Sequence, residues 1–243
     1  LYALQILSDD LGTLTYRTHG GQKAPLIVRT RGHRLEGIWH SGSPLGGMIS
    51  FLRGVFILTP RNMTKAAGFY NTLLDIDQPG VVIEPLNGYR TKEQLPSNYG
   101  QFKTPIGEIE ILKEGTDITL VSYGSTFNIV INVAKEIEKY GISCEVIDVQ
   151  SLIPFDIKKE ISKSIIKTNR LLIIDEDLPG GCSSYILQEL LERQDIYEHL
   201  DSKPSLLTAK DHRPPYGSDG DYASKPSFED IFERIFGFNK NFD

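Results

Sequence analysis

Two histidines, three arginines, a glutamate, a tryptophan and a serine fall between Arg29 and Ser41, within the stretch Ala24 to Pro44 that reads APLIVRTRGHRLEGIWHSGSP. An apolar run, Pro25-Leu26-Ile27-Val28, precedes them and has the length and branching of a buried strand that stops at Arg29. An open α/β sheet usually receives its ligand in the crevice at the carboxyl ends of its strands. His40 is the residue there best suited to proton transfer, because an imidazole titrates near neutrality. It is followed by Ser41-Gly42-Ser43-Pro44, where glycine lets the backbone approach a ligand. Arg29, Arg31 and Arg34 could hold an anion or form an exposed basic loop. His33, between two arginines, reads as part of a solvated charged surface.

Other candidates have blander readings. Tyr123-Gly124-Ser125-Thr126 is a strand-turn-helix junction whose amides could meet a phosphate, but without a complete phosphate-loop pattern a capped turn is favoured at Thr126. Asp175-Glu176-Asp177 closes an apolar run with three carboxylates. With no histidine close in sequence, it reads as a surface turn that caps the next helix. Asp219-Gly220-Asp221 opens like a calcium loop but lacks the later ligands, so a turn accounts for it better. No metal-ligating set emerges.

The elements that would position these residues alternate. Leu4, Leu7, Leu11 and Leu14 make the stripe of an amphipathic helix from Leu1 to about Tyr16. Strands are predicted at Leu26, at Gly54 to Leu58 and at Val81 to Glu84. A helix capped by Asn62 runs to about Leu74, with Ala66, Ala67, Phe69, Tyr70 and Leu73 facing inward. Asn87 to Gly107 is polar and turn-rich, and the domain boundary is expected there. Beyond it lie strands at Ile118 to Ser122, Ser143 to Val149 and Leu171 to Asp175. Helices from Phe127 to Tyr140, Asp156 to Lys167 and Ser183 to Arg193 alternate with them. The tail, Asp211 to Pro226, is a loop before a last helix from Ser227 to Phe236. Alternation of this kind implies parallel pairing and right-handed crossovers.

Composition narrows the function class. The 243 residues carry a net charge of −6, with cations scattered among acids, so no basic stripe exists to bind nucleic acid. Apolar runs are too short for a bilayer span, which argues against a membrane protein. The two cysteines, Cys144 and Cys182, are too few and too dissimilar in setting for a disulfide framework, which suggests a reducing, cytoplasmic location. An apolar-periodic start at Leu1 without methionine or cap suggests a fragment of a longer polypeptide.

Several motifs in order carry a family resemblance. Trp39-His40-Ser41-Gly42-Ser43, Arg53-Gly54-Val55, Thr59-Pro60-Arg61-Asn62 and Pro79 through Glu84-Pro85 to Gly88-Tyr89-Arg90 resemble the beta-type region of thiamine diphosphate-dependent 2-oxo acid dehydrogenases. So do Val146 through Asp156, and Ile174-Asp175-Glu176 with Gly180-Gly181. The resemblance implies an α/β protein in which residues 1–95 are the C-terminal half of a transketolase-like pyrimidine-binding domain. Residues 96–106 would then be a linker and 107–243 a three-layer transketolase C-terminal-type domain. It implies that His40 serves proton transfer and the handover of an acyl group to a lipoyl arm, with Ser41 and Arg29 nearby. Oxidation of the cofactor adduct by the lipoyl disulfide requires protonation of a departing thiolate, which a histidine can supply.

The resemblance further implies thiamine diphosphate with Mg²⁺ in the complete enzyme. The activating glutamate and the metal-diphosphate motif would lie upstream or in an alpha-type region, so this stretch alone should be inactive. Implied partners are the alpha-type region, in a separate subunit or the same polypeptide, and a lipoyl acyltransferase core, with pairing of beta-type regions into a homodimer. A potassium site is not carried over, because Leu74-Asp75-Ile76-Asp77-Gln78 departs from the pattern. The acid substrate, pyruvate or a branched-chain 2-oxo acid, stays open. The rival readings are a transketolase or 1-deoxyxylulose-phosphate synthase-like enzyme, and a non-catalytic assembly or docking module. The module would use the Leu1 helix and the stripe Phe228, Ile231, Phe232, Ile235 and Phe236, although intramolecular core is the simpler reading of that stripe.

Overall fold

The computed structural model describes residues 2–33, 42–212, 215 and 220–240. His40, Ser41 and Arg34 lie outside the described residues, as do Arg213, Pro214, Tyr216 and Asp219.

The N-terminal leucine stripe forms α1 (Tyr2–Gln5), a wider π-helical stretch Ile6–Leu11, and α2 (Leu14–Arg17). Leu4 and Leu7 pack on the main core. Then come β1 (Ile27–Arg31), α3 (Leu45–Phe51), β2 (Phe56–Leu58), α4 (Met63–Leu74) and β3 (Gly80–Glu84). β1 runs two residues beyond the predicted stop at Arg29, because β3 offers ladder partners as far as Arg31 opposite Glu84. α3 has no counterpart in the sequence reading. Its Gly46-Gly47 pair argues against a helix on propensity, and buried Leu45 and Ile49 override it. α4 starts where predicted, with Asn62 Oδ1 accepting from Lys65 N at 2.8 Å. Ala66, Phe69 and Leu73 are buried, while Ala67 and Tyr70 are half-buried.

The second half supplies β4 (Glu110–Lys113), β5 (Ile118–Ser122), α5 (Phe127–Ile137), β6 (Cys144–Asp148), β7 (Ser151–Ile153), α6 (Glu160–Thr168), β8 (Leu171–Ile174) and α7 (Cys182–Gln188). β9 (Ser205–Leu207), α8 (Gly220–Ser224) and α9 (Phe228–Lys240) complete it. α6 begins four residues after Asp156, whose carboxylate accepts from Glu160 N and Ile161 N. α8 occupies part of the predicted tail loop.

Two sheets result. The first has the order β1-β3-β2-β7, parallel except for β7, and the second has the order β4-β6-β5-β8-β9, parallel except for β4. β7 lies after the expected linker in sequence yet pairs with β2, Ile57 opposite Ile153. Side-chain alternation along the strands sorts the core into layers. Val81 and Ile83 join Val121, Ile147 and Ile173 in one cluster shared by the two sheets. Val82 points the other way, onto Phe69 and Leu73 of α4. Leu120, Leu172 and Ile174 point away from the shared cluster, toward α5 and α9, where Ile231 and Ile235 are buried. The aromatic stripe of α9 thus packs on this chain's own core, with Phe232 stacked on Phe228 and Phe236 and set edge-on to Tyr140.

Polar bridges reinforce the shared core. Arg61 Nη1 lies 2.7 Å from both Asp148 Oδ2 and Glu110 Oε2, and Lys65 Nζ lies 2.6 Å from Glu110. Cys144 and Cys182 are free and buried. Among the described residues, no helix is long and apolar enough to cross a membrane.

Candidate functional site

β1 and β3 run parallel and end together, so Arg29, Arg31 and Glu84 are delivered to one edge of the first sheet. Glu84 is buried, 1% exposed, and is the acceptor for three donors. Arg29 Nη2 donates at 2.9 Å, Tyr70 OH at 2.5 Å, and Tyr89 OH donates as well. Burial alone would push this carboxyl up. The bonds from Arg29, Tyr70 and Tyr89 outweigh it and hold the group below the usual carboxylate range. Burial, and then the same carboxylate, push the Tyr70 phenol up. Arg29, Thr30, Arg31, Glu84 and Tyr89 line an open cleft of about 410 Å³. The cleft joins the Glu84 carboxyl, paired with the Arg29 guanidinium, to a rim that also carries Arg31.

Beside it stand the ends of β5 and β8 from the second sheet. Gly32 N donates to Glu84 O at 2.9 Å, and the next amide, His33 N, donates to Glu176 Oε1 at 3.1 Å. Ser125 Oγ donates to Glu176 Oε2 at 2.5 Å. Gly46 N, in the first turn of α3, donates to Asp177 Oδ2 at 2.5 Å. Asp175 accepts from Tyr123 OH, from Asp177 N at 2.9 Å and from Ser183 N at 2.6 Å. Burial pushes the Asp175 carboxyl up to about 6 and raises Asp177 as well.

Asp175, Glu176 and Asp177 do not form a surface turn: they are 0%, 2% and 6% exposed. Only the capping part stands, in the bond from Ser183 N to Asp175. Distant backbone meets them, His33 N at Glu176 and Gly46 N at Asp177, contacts 143 and 131 positions apart that no local pattern displays. His33 is likewise not in a solvated patch but 5% exposed, drawn in by its amide bond to Glu176. Thr126 is buried at its turn, and its neighbour Ser125 makes the functional-looking contact. Glu84, Tyr70 and Tyr89 carried no site role in the sequence reading. The available signal was a lone acid ending the apolar run Val81-Val82-Ile83. Among the described residues, no group of three or more His, Cys, Asp or Glu side chains is placed to hold a metal ion.

Residues 107–225 match the family described as transketolase, C-terminal domain. The fold as a whole is similar to a solved structure described as a split-gene transketolase, inactive β4 tetramer, with a TM-score of 0.69 and 18% identity, covering 97% of this chain and 73% of that one. That likeness defines the fold class, a transketolase-type α/β protein. Among curated relatives, the pyruvate dehydrogenase E1 component subunit beta of Chlorokybus atmophyticus is 30% identical over 237 residues, 97% of this chain and 69% of the relative. The 2-oxoisovalerate dehydrogenase subunit beta 2, mitochondrial, of Arabidopsis thaliana is 35% identical over 159 residues, 65% of this chain and 43% of the relative. The chain belongs to the family of beta subunits of the E1 components of 2-oxo acid dehydrogenases.

Proposed function

We propose that this chain is part of the decarboxylating component of a 2-oxo acid dehydrogenase complex, and that His40 is its proton donor in acyl transfer to a lipoyl group. The observation that carries the reading is the likeness to a pyruvate dehydrogenase E1 beta subunit over 97% of the chain. In the proposed step the lipoyl S–S bond breaks, one sulfur takes the acyl group, and the imidazole of His40 protonates the thiolate left on the other. On this reading Ser41 and Arg29 belong to the arm's vicinity, and Arg29 lines the open cleft.

Thiamine diphosphate, when bound, supplies the electron sink for decarboxylation. Following the family resemblance, we assign Mg²⁺ and the cofactor's main ligands to an upstream half-domain and an alpha-type region of the complete enzyme. On this reading residues 1–95 complete the pyrimidine-binding domain, 96–106 link it to the C-terminal domain, and beta-type regions pair in a cytoplasmic complex with a lipoyl acyltransferase core.

The test uses the complete enzyme with thiamine diphosphate, Mg²⁺, a lipoyl domain and a panel of 2-oxo acids. Turnover with pyruvate or a branched-chain acid fixes the substrate, and His40→Ala should lower lipoyl acylation by about 10²-fold or more. Absence of cofactor binding, or turnover only with sugar phosphates, overturns the reading.

A further inference from the structure

Thr59 follows β2 directly and is 1% exposed. Its amide donates to Gln150 O at 2.7 Å, but its hydroxyl meets no hydrogen-bonding partner among the described residues. A buried hydroxyl left unmet is costly and uncommon in a folded protein. Thr59 lines a small internal cavity together with Gly32, Glu84, Ser125 and Glu176. The ends of β1, β2 and β3 from the first sheet meet there with the turns after β5 and β8 from the second. The cavity offers about 10 Å³ to the centre of a water molecule, which is room for one water and nothing larger.

Gly32 shows what the cavity is shaped to hold. Its backbone is not left-handed, so conformation does not demand a glycine there. A Cβ at this position would stand 3.3 Å from Glu176 Oε1, 3.5 Å from Ile83 Cγ2 and 3.6 Å from Glu84 O. The space a methyl group would take is thus bordered by two acceptors. Glu84 O accepts from Gly32 N at 2.9 Å and Glu176 Oε1 accepts from His33 N at 3.1 Å, and each oxygen carries a second lone pair.

We propose that this cavity is the binding site of a single internal water, which accepts from the Thr59 hydroxyl and donates to Glu176 Oε1 and Glu84 O. An apolar occupant would leave all three groups unmet. A metal cation could take the two acceptors but would leave the hydroxyl proton with nothing to receive it, whereas a water both donates and accepts. Held in this way, the water joins the end of β2 to the end of β3 and to the turn after β8. It adds a third donor to the Glu176 carboxylate, on which His33 N and Ser125 Oγ already converge.

The experiment is diffraction from crystals of the complete enzyme as wild type, Thr59→Ser, Thr59→Val and Gly32→Ala, with thermal unfolding of each. Wild type and Thr59→Ser should show one water peak within about 3.2 Å of the hydroxyl at position 59 and of Glu176 Oε1. Gly32→Ala should show none, because its methyl group takes the place. Thr59→Val keeps the shape and removes the hydroxyl, and it should lower the midpoint of unfolding by about 2–4 °C. An idle hydroxyl would give the opposite sign, so a midpoint that is unchanged or raised in Thr59→Val overturns the proposal. On the Gly32→Ala background Thr59→Val should cause no further loss, since the water is already displaced, and additive losses count against a shared water. An empty cavity in wild-type density overturns the proposal, and so does an anomalous peak at the site in crystals grown with rubidium chloride, which would assign a cation. Should Gly32→Ala not fold, the wild-type density and the Thr59→Val midpoint decide without it.

Discussion

Glu84 shows what a single carboxylate can organise when three donors converge on it at the floor of a cleft. Glu84→Ala would strand Tyr70 OH and Tyr89 OH beside a cavity, and the expected cost is about 2–4 kcal/mol, read as a lower midpoint of thermal unfolding. A midpoint within about 1 °C of wild type would contradict the account. Asp175 behaves oppositely. Its folded value of about 6 stands above the 3.8 of a free carboxyl, so its stabilising contribution is complete below about pH 4 and is lost as pH rises through about 6. In urea unfolding at several pH values, the stability of wild type relative to Asp175→Asn should therefore fall by on the order of 2–3 kcal/mol between pH 4 and 7. A pH-independent difference would show that the carboxyl is not desolvated. At this scale the sequence was readable only in part. Arg29 and the acids were visible as polar endings of apolar runs, but which acid meets which donor depends on separations of 55 to 143 positions.

Among the elements, α4 shows how local and distant signals share one task. Asn62 caps it from within the chain's own turn, while Glu93, across the strap that follows β3, accepts from Met63 N and Thr64 N at 3.0 Å each. Asn62→Ala should cost about 1 kcal/mol, the usual worth of an N-cap. Glu93→Ala should instead raise amide exchange at Met63 and Thr64 while leaving the middle of the helix protected. Equal effects of the two changes on global stability would refute this division of labour. The central strands and α4, α5, α6 and α9 were legible because each repeats a clear period over several residues. β4, β7 and β9, with four, three and three residues, offer too few positions for a period to show, and they exist because a neighbouring edge pairs with them. α3 hid for another reason. Gly46 lies against Asp177 Oδ2, too close for a Cβ, and burial of Leu45 and Ile49 outweighs the weak helix propensity of the glycine pair.

At the level of the molecule, the turn-rich stretch Asn87 to Gly107 looks like a border in the sequence. In space the two sides are interleaved: Ile57 faces Ile153 in one ladder, Arg61 reaches Asp148, and Val81 and Val121 belong to one cluster. That interleaving could not be read from the residues alone, since Ser151-Leu152-Ile153 is three residues of unremarkable sequence. It has a consequence for the continuity of the backbone. Tyr99 is 61% exposed in the strap, open to chymotrypsin, yet cutting there severs neither the ladder nor the cluster. The two resulting polypeptides should co-elute on gel filtration and separate only in denaturant; prompt separation under native conditions would mean that the peptide bond itself was holding the halves together. A gene broken within this stretch would then yield two products able to find each other, so that the covalent link is a convenience of synthesis and the ladder from β2 to β7 is the true seam.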